Sequence, residues 1–341
     1  MTNMSRKSPN RADFYLSCPG SCAQGFGTCC TIYVDECGST NFQKNLTYIV
    51  QPGFPSKKYS TGGGTCKYTL SKGSPDICML RLDFVDGSIT DPNTSGDCPS
   101  YFTSNPVTGP AIPPICGSND GLHLYLDAGA YDDDDTTFSV VVGETNLDWR
   151  IRVSQIECSS SSLPWAGCLQ YFMGVEGQVY SFNYQYVSSE EHLQDQHYQI
   201  CVRHELDHCA IGWIASTQEK DSFKISIKAP SSSVYYGRAG TLCYADFVMI
   251  PRGSNGGRGL CDCGSPSGST GNTMPTCDTY CGGSLNCNNN AAYAKRSEII
   301  SRQIPFMMGV NLNHAEPSTS DNRGFNMIYR QYPCNTLNLG P

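Results

Sequence analysis

The stretch Trp149 to Cys168, WRIRVSQIECSSSSLPWAGC, marks where one unit of the chain ends and a second copy of it begins. Trp149, Gln155 and Cys158 return as Phe325, Gln331 and Cys334 at a constant offset of 176 residues. Each set closes a segment in which apolar and polar residues alternate before a cysteine. A constant offset of this kind is the sequence signature of an internal repeat.

The rest of the chain bears this out in composition. Its 341 residues suffice for two domains, each able to bury a core. Charged residues are 16%, glycines number 34 and prolines 20, and no long run of helix formers occurs. That profile predicts short strands joined by Gly/Pro turns. The net charge of −8 excludes a nucleic-acid or anionic-membrane surface as the main role, since both need clustered Lys and Arg. Twenty cysteines, an even number, predict complete pairing in an oxidising, extracellular compartment. Structural zinc is the rival use, but neither Cys261-Asp262-Cys263 nor the Cys277 to Cys281 spacing is that of a zinc knuckle. The opening residues carry no apolar run of the signal-peptide kind. No segment approaches the roughly 20 apolar residues of a membrane span.

In chain order, residues 1–36 form a polar leader with Cys18, Cys22, Cys29 and Cys30, unable to build a core of its own. The first domain, 37–158, shows period-2 segments at 47–50, 66–70, 79–84, 122–126, 137–142 and 149–153. These are strands half buried against a sandwich core. Four adjacent carboxylates, Asp132 to Asp135, repel one another and predict an exposed loop tip. The linker, 159–167, begins with serines, and its Pro164 and Trp165 predict that the second half docks on a surface. The second domain, 168–334, repeats the strands at 178–182, 198–202, 209–214, 223–227, 247–250, 306–312 and 325–329, before a tail at 335–341.

Aligning the copies matches Cys37 with Cys168, Cys66 with Cys201, Cys78 with Cys209, Cys98 with Cys243, Cys116 with Cys281, and Cys158 with Cys334. An insertion at about 252–290 stretches the Cys243 to Cys281 interval to 38 residues, against 18 for Cys98 to Cys116. Its Gly/Ser/Asn composition needs a scaffold, which two local disulfides among Cys261, Cys263, Cys277 and Cys287 would supply.

Cys37, Tyr48 to Pro55, Tyr59, Cys66-Lys67-Tyr68 and Leu80 to Phe84 together resemble the opening of a CUB domain. Cys116-Gly117 and Cys281-Gly282-Gly283 resemble its late Cys-Gly, and Arg323-Gly324-Phe325 its closing strand. Ser21 to Cys30, Pro114 to Asn119, Gln155 to Cys158 and Gly167 to Phe172 resemble secreted tandem-CUB proteins of arthropods. The resemblance spans about residues 18–334. It implies an all-β, disulfide-rich chain of two jelly-roll β-sandwiches in tandem, extracellular, non-catalytic and used for binding. It also implies the pairs Cys37–Cys66, Cys98–Cys116, Cys168–Cys201 and Cys243–Cys281. The repeat then leaves Cys78–Cys158 and Cys209–Cys334.

Many members of that family hold calcium between an early Glu, an Asp shortly after the third cysteine and a later Asp. Calcium takes six to eight oxygens, so carboxylates must converge. In the first copy Tyr101 stands where the middle acid belongs. In the second, Asp246 keeps it, Glu316 or Asp321 could supply the later ligand, and Arg238 lies near the place of the early Glu. Solvent-exposed acids are the competing reading. His204-Glu205-Leu206-Asp207-His208 fits the His-Glu-x-x-His of zinc hydrolases, whose chemistry needs a helix to bring both imidazoles to one metal. Its flanks have strand character, which predicts a hairpin instead. No Gly-x-Ser-x-Gly elbow occurs, and the glycines at 253–259 precede no helix or Lys-Ser/Thr. Asn93, Asn45 and Asn3 are glycosylation sequons, with Asn93 in the most polar loop.

The reading that results is a non-enzymatic extracellular protein that binds another protein or a glycan. The alternatives are a matrix or fibre component that self-associates through its tails, and a zinc hydrolase at His204 and His208.

Overall fold

The computed structural model describes residues 5–8, 11–15, 31–38, 43–53, 63–105, 111–129, 135–143, 147–184, 191–216, 222–225, 237–254, 277–285, 298–313 and 322–335. Regular structure there is β throughout, apart from a single 3-10 turn at Gly240–Leu242. The chain divides into two compact units, Met1–Asp91 with Cys98–Ala166, and Pro92–Asp97 with Gly167–Pro341.

The first unit holds β1 (Ser5–Ser8), β2 (Arg11–Tyr15), β3 (Thr31–Glu36), β4 (Thr47–Val50), β5 (Gly64–Ser71) and β6 (Ile77–Ile89). After them come β7 (Tyr101–Asn105), β8 (Ile112–Ile115), β9 (Gly117–Ser118), β10 (His123–Asp127), β11 (Asp135–Val142) and β12 (Asp148–Glu157). One sheet runs β1-β2-β3-β4-β12-β6-β10 with β9 beside β6, and the other runs β5-β11-β7-β8.

The two faces meet in an aromatic core. Phe84 of β6 meets Phe102 of β7 edge-on at 5.7 Å, and the Trp149 indole N–H donates to the Tyr68 hydroxyl at 2.9 Å. That hydroxyl donates in turn to the Val50 carbonyl at 2.6 Å, so both polar tips inside the core are satisfied. Strand alternation places Leu80, Leu82 and Phe84 inward, each buried side chain of this size contributing about 1.5–3 kcal/mol.

The second unit holds β13 (Cys168–Phe172), β14 (Glu176–Tyr180), β15 (Gln196–Val202), β16 (His208–Ala215), β17 (Phe223–Lys224) and β18 (Gly237–Ala239). It continues with β19 (Phe247–Gly253), β20 (Cys277–Gly282), β21 (Glu298–Ser301), β22 (Phe306–Leu312) and β23 (Gly324–Pro333). Its sheets run β13-β15-β22-β19-β20-β18 and β14-β23-β16-β21, with β17 beside β23.

The central pairing is the same in both units. Val153 faces Leu82 and Gln155 faces Leu80, while Tyr329 faces Trp213 and Gln331 faces Ile211. The offset of 176 residues noted above therefore carries one strand register onto the other.

Cys37 is bonded to Cys66, Cys78 to Cys158, Cys98 to Cys116, Cys168 to Cys201, Cys209 to Cys334 and Cys243 to Cys281. Cys277 is also disulfide-bonded, to a cysteine outside the described residues. The leader cysteines and Cys261, Cys263 and Cys287 lie outside them too.

Several strands differ from the sequence expectation. The leader supplies β1 to β3, and β3 joins β4 as a parallel neighbour, so it extends the first unit's sheet. β7, β8, β13, β20 and β21 carry no clear alternation and were not among the expected strands. Ser181 and Phe182 turn out of β14; of the segment expected over 223–227, Phe223–Lys224 form a strand, Ile225 bridges to Gly282, and 226–227 lie outside the described residues. Of the acidic run, Asp135 opens β11 and accepts from the Ser71 hydroxyl at 2.5 Å, so it is strand and not loop tip. Asp132 to Asp134 lie outside the described residues. In the linker Pro164 is buried and Trp165 half-buried.

Candidate functional site

A glutamine near the end of the last strand pins the loop that crosses between the two sheets in each unit, β5 to β6 in the first and β15 to β16 in the second. In the first unit the Gln155 side chain accepts from the Gly73 N–H at 2.7 Å and donates to the Gln43 carbonyl at 3.0 Å. A Cβ on Gly73 would meet the Gln43 carbonyl at 2.9 Å, so only glycine allows this approach. The Gln155 N–H donates to Asn45 Oδ1 at 2.8 Å. In the second unit Gln331 accepts from the Glu205 N–H at 3.0 Å and donates to the Gly174 and Arg203 carbonyls at 2.9 and 2.8 Å. Its own N–H donates to the Val175 carbonyl at 2.7 Å. Both glutamines are almost wholly buried, 6% and 3% exposed, so these bonds replace water.

The loop held by Gln331 is the His204–His208 pentapeptide; β15 and β16 lie in different sheets, so the hairpin expected there is instead a crossing from one sheet to the other. Asp207 takes φ 62°, and Leu206 beside it is 86% exposed. Each imidazole is committed to a backbone carbonyl, His204 Nε2 to that of His208 and His208 Nδ1 to that of Leu206. The His204 ring also packs edge-on against Phe306 at 5.0 Å. Glu205, which a hydrolase would use on water, accepts instead from the Gly174 N–H at 2.7 Å and pairs with Arg203 at 2.9 Å. Burial alone would raise its pKa; the Gly174 N–H and the Arg203 guanidinium outweigh that and hold it below the ordinary range. Beneath it, burial and then the Glu205 charge push the Tyr329 phenol up to about 12.

On the outward face of the first unit's sheet, Asp83 receives two guanidinium groups. Arg81 lies 2.8 Å from one oxygen and Arg152 2.9 Å from the other, and Arg81 also donates to the Tyr125 hydroxyl at 3.0 Å. Burial would raise the Asp83 pKa, but the hydrogen bonds from Arg81 and Arg152 win and lower it. Arg81 is raised for the converse reason, its bond to Asp83 overcoming burial. The signal in the sequence was the charged alternates of LRLDF and WRIRV, which a reading centred on the core passes over.

Of the calcium candidates, Asp246 alone lies among the described residues. Asp246 is buried at 1% and its Oδ1 accepts from the Asn313 N–H at 2.5 Å, a bond that holds the end of β22. Glu316 and Asp321 lie outside the described residues, and Arg238 is exposed on β18. No group of three acidic, His or Cys side chains able to hold a metal occurs among the described residues.

Of the sequons, Asn93 is exposed and folds its Oδ1 onto the Ser95 and Asp97 N–H groups, while Asn45 is exposed with its Oδ1 shared between Leu46 and Gln155. Asn3 lies outside the described residues. No helix among the described residues is long and apolar enough to cross a membrane.

Residues 166–332, which span the second unit from the end of the linker to the last strand, match the family model of the animal CUB domain. No curated protein matches the chain. Among solved structures, the CUB1-EGF-CUB2 domains of rat MASP-1 align at 10% identity over 87% of this chain and 99% of that one, with a TM-score of 0.26. The calcium-bound CUB2 domain of MASP-1 aligns at 19% identity over 35% of this chain and 98% of its own, with a TM-score of 0.26. The extracellular region of zebrafish Gpr126/Adgrg6 aligns at 10% identity over 87% of this chain and 37% of its own, with a TM-score of 0.29. Likeness at that level carries no argument about this chain.

Proposed function

We propose that the protein is a secreted, non-enzymatic binding protein of two CUB-type sandwiches in tandem, which presents loops and sheet faces to an extracellular protein or glycan. The observation that carries this reading is the glutamine pin shared by the two units, in the same strand register, with the CUB match on the second. It supports reading the first unit as a sandwich of the same kind. Six disulfides among the described cysteines support an oxidising, extracellular setting, where Asn93 and Asn45 would carry glycans.

Binding and not hydrolysis is favoured by the turn at 204–208, whose imidazoles and carboxylate are bonded to the protein's own backbone and Arg203. Glycan arrays and extracellular proteins presented to the immobilised, glycosylated chain test this reading. Saturable capture of one class is the expected result. Zinc-dependent hydrolysis abolished by Glu205→Gln, with no saturable partner, would contradict it.

A further inference from the structure

The last strand of each unit has a neighbour that the repeat makes equivalent. In the first unit β4 lies on β12, with Tyr48 facing Arg152 and Ile49 facing Ile151. In the second β14 lies on β23, with Gln178 facing Ile328 and Val179 facing Met327. The offset of 176 residues carries one pairing onto the other. The match continues past the strands: Gln51 Oε1 accepts from the Trp149 N–H at 3.3 Å, and Ser181 Oγ accepts from the Phe325 N–H at 3.1 Å. The far sides of the two strands differ. β4 carries β3, laid parallel with Tyr33 beside Thr47 and Glu36 beside Val50. β14 is the edge of its sheet among the described residues.

The backbone direction in β14 shows what that edge offers. The Val175 carbonyl accepts from the Gln331 N–H at 2.7 Å and the Ser181 N–H donates to the Phe325 carbonyl at 3.0 Å, so both residues face β23. Strand alternation then turns the N–H and C=O groups of Glu176 and Gln178 to the open side, where no backbone partner for them occurs among the described residues. Nor is this edge blunted. Edge strand β8 carries Pro113 and Pro114 and edge strand β13 shifts register, whereas β14 holds no proline or lysine and keeps one register over its five residues. Its single charge, Glu176, is paired with Arg330 at 3.0 Å.

We infer that β14 is a strand-addition site, where the second unit takes an extended segment of a partner protein parallel to β14, as β4 takes β3. This rests on the binding function proposed above and narrows its ligand to a polypeptide held by its backbone. In the register of β3, the incoming strand donates an N–H to the Gln178 carbonyl and accepts from the Gln178 N–H, the two bonds a parallel ladder makes at one residue. Glu176 adds a second such residue, since β14 starts one position earlier than β4.

The probe is the leader strand as a free peptide, TIYVDE (Thr31–Glu36), labelled with fluorescein and titrated against the full chain by anisotropy. In that chain β4 is already taken by β3, which leaves β14 as the equivalent edge. Saturable binding is expected, with the Glu176 and Gln178 amides gaining protection from hydrogen exchange. A methyl on the peptide's Asp35 nitrogen, which faces the edge in this register, should weaken binding at least about tenfold. A methyl on its Val34 nitrogen, which faces away, should leave binding within about twofold. Both changes leave the protein itself untouched. Absence of binding would overturn the inference, as would equal weakening by the two methyls or protection away from β14. Capture of a glycan or a folded protein with the Glu176 and Gln178 amides still exchanging leaves the binding function standing while this inference fails. Peptide binding with the expected methyl pattern, in a chain that captures no extracellular partner, does the reverse.

Discussion

Gln155 and Gln331 make the same kind of bonds at the same point in the two units, and the surfaces they support differ in chemistry. In the first unit the pinned loop is polar, and the outward sheet face carries Arg81, Asp83, Arg152 and Tyr125. The matching strand positions in the second unit are Gly212, Ile214, Ile328 and Ile300, and the pinned loop exposes Leu206. Gly212 leaves room for the Glu298 carboxylate and the Tyr332 ring, which would collide with a side chain there. The comparison separates what the sandwich requires from what each copy adds. Disulfides, register and the glutamine pin are common; charge and apolarity at the surface are not. Residues in the first group should cost stability when changed, and residues in the second should cost little.

The largest effect is expected at the long disulfides. Cys209–Cys334 closes 125 residues and Cys78–Cys158 closes 80. Chain-entropy arguments give about 4–5 kcal/mol for loops of this length. Replacing either pair with serine should therefore lower denaturant stability in its own unit by nearly the same amount. A loss confined to one pair would break the equivalence. Next come the pins. Gln331→Ala leaves one N–H and two carbonyls unpaired and should cost about 3 kcal/mol; Gln155→Ala, with one of each, should cost about 2 kcal/mol. Chemical unfolding checks both.

These positions also show how far the sequence could be read. The six disulfide pairs were accessible because repeat order and family pattern constrain cysteines together. β4, β5, β11 and β12 were accessible because one face is buried and the other wet. β8 was not: Pro113 and Pro114 interrupt it, tolerable because it is an edge strand whose ladder partners are Ile112 and Ile115. β13 is buried at four of its five residues, the polar Gln170 among them, so it shows no alternation. The leader strands β2 and β3 carry only two apolar alternates each, Ala12 with Phe14 and Ile32 with Val34, in a polar segment. At the sites, His204 to His208 drew attention as a metal motif, whereas the residue the loop presents to solvent is Leu206, whose exposure no periodicity reveals.

A smaller, pH-dependent effect should distinguish the sheet faces. Asp83 has a folded pKa below its ordinary value, so its pairing stabilises the first unit fully above the ordinary carboxylate range. That stability is lost as pH falls through the folded pKa. Hydrogen exchange from pH 5 downward should show Asp83→Asn removing part of the acid sensitivity of β6 and β12, while Ile214→Asn leaves the acid slope of β16 unchanged. An unchanged slope in Asp83→Asn would remove the ion cluster from the account. The smallest effect is expected at the tip of the β15–β16 loop, where Leu206→Asp should change unfolding stability by no more than about 0.5 kcal/mol.

The equivalence of the two units is tested most directly by peptide mapping of the secreted chain without reduction. The account predicts Cys78 linked to Cys158 and Cys209 to Cys334, alongside the four shorter pairs. A peptide joining any of these twelve cysteines to the other unit would contradict it.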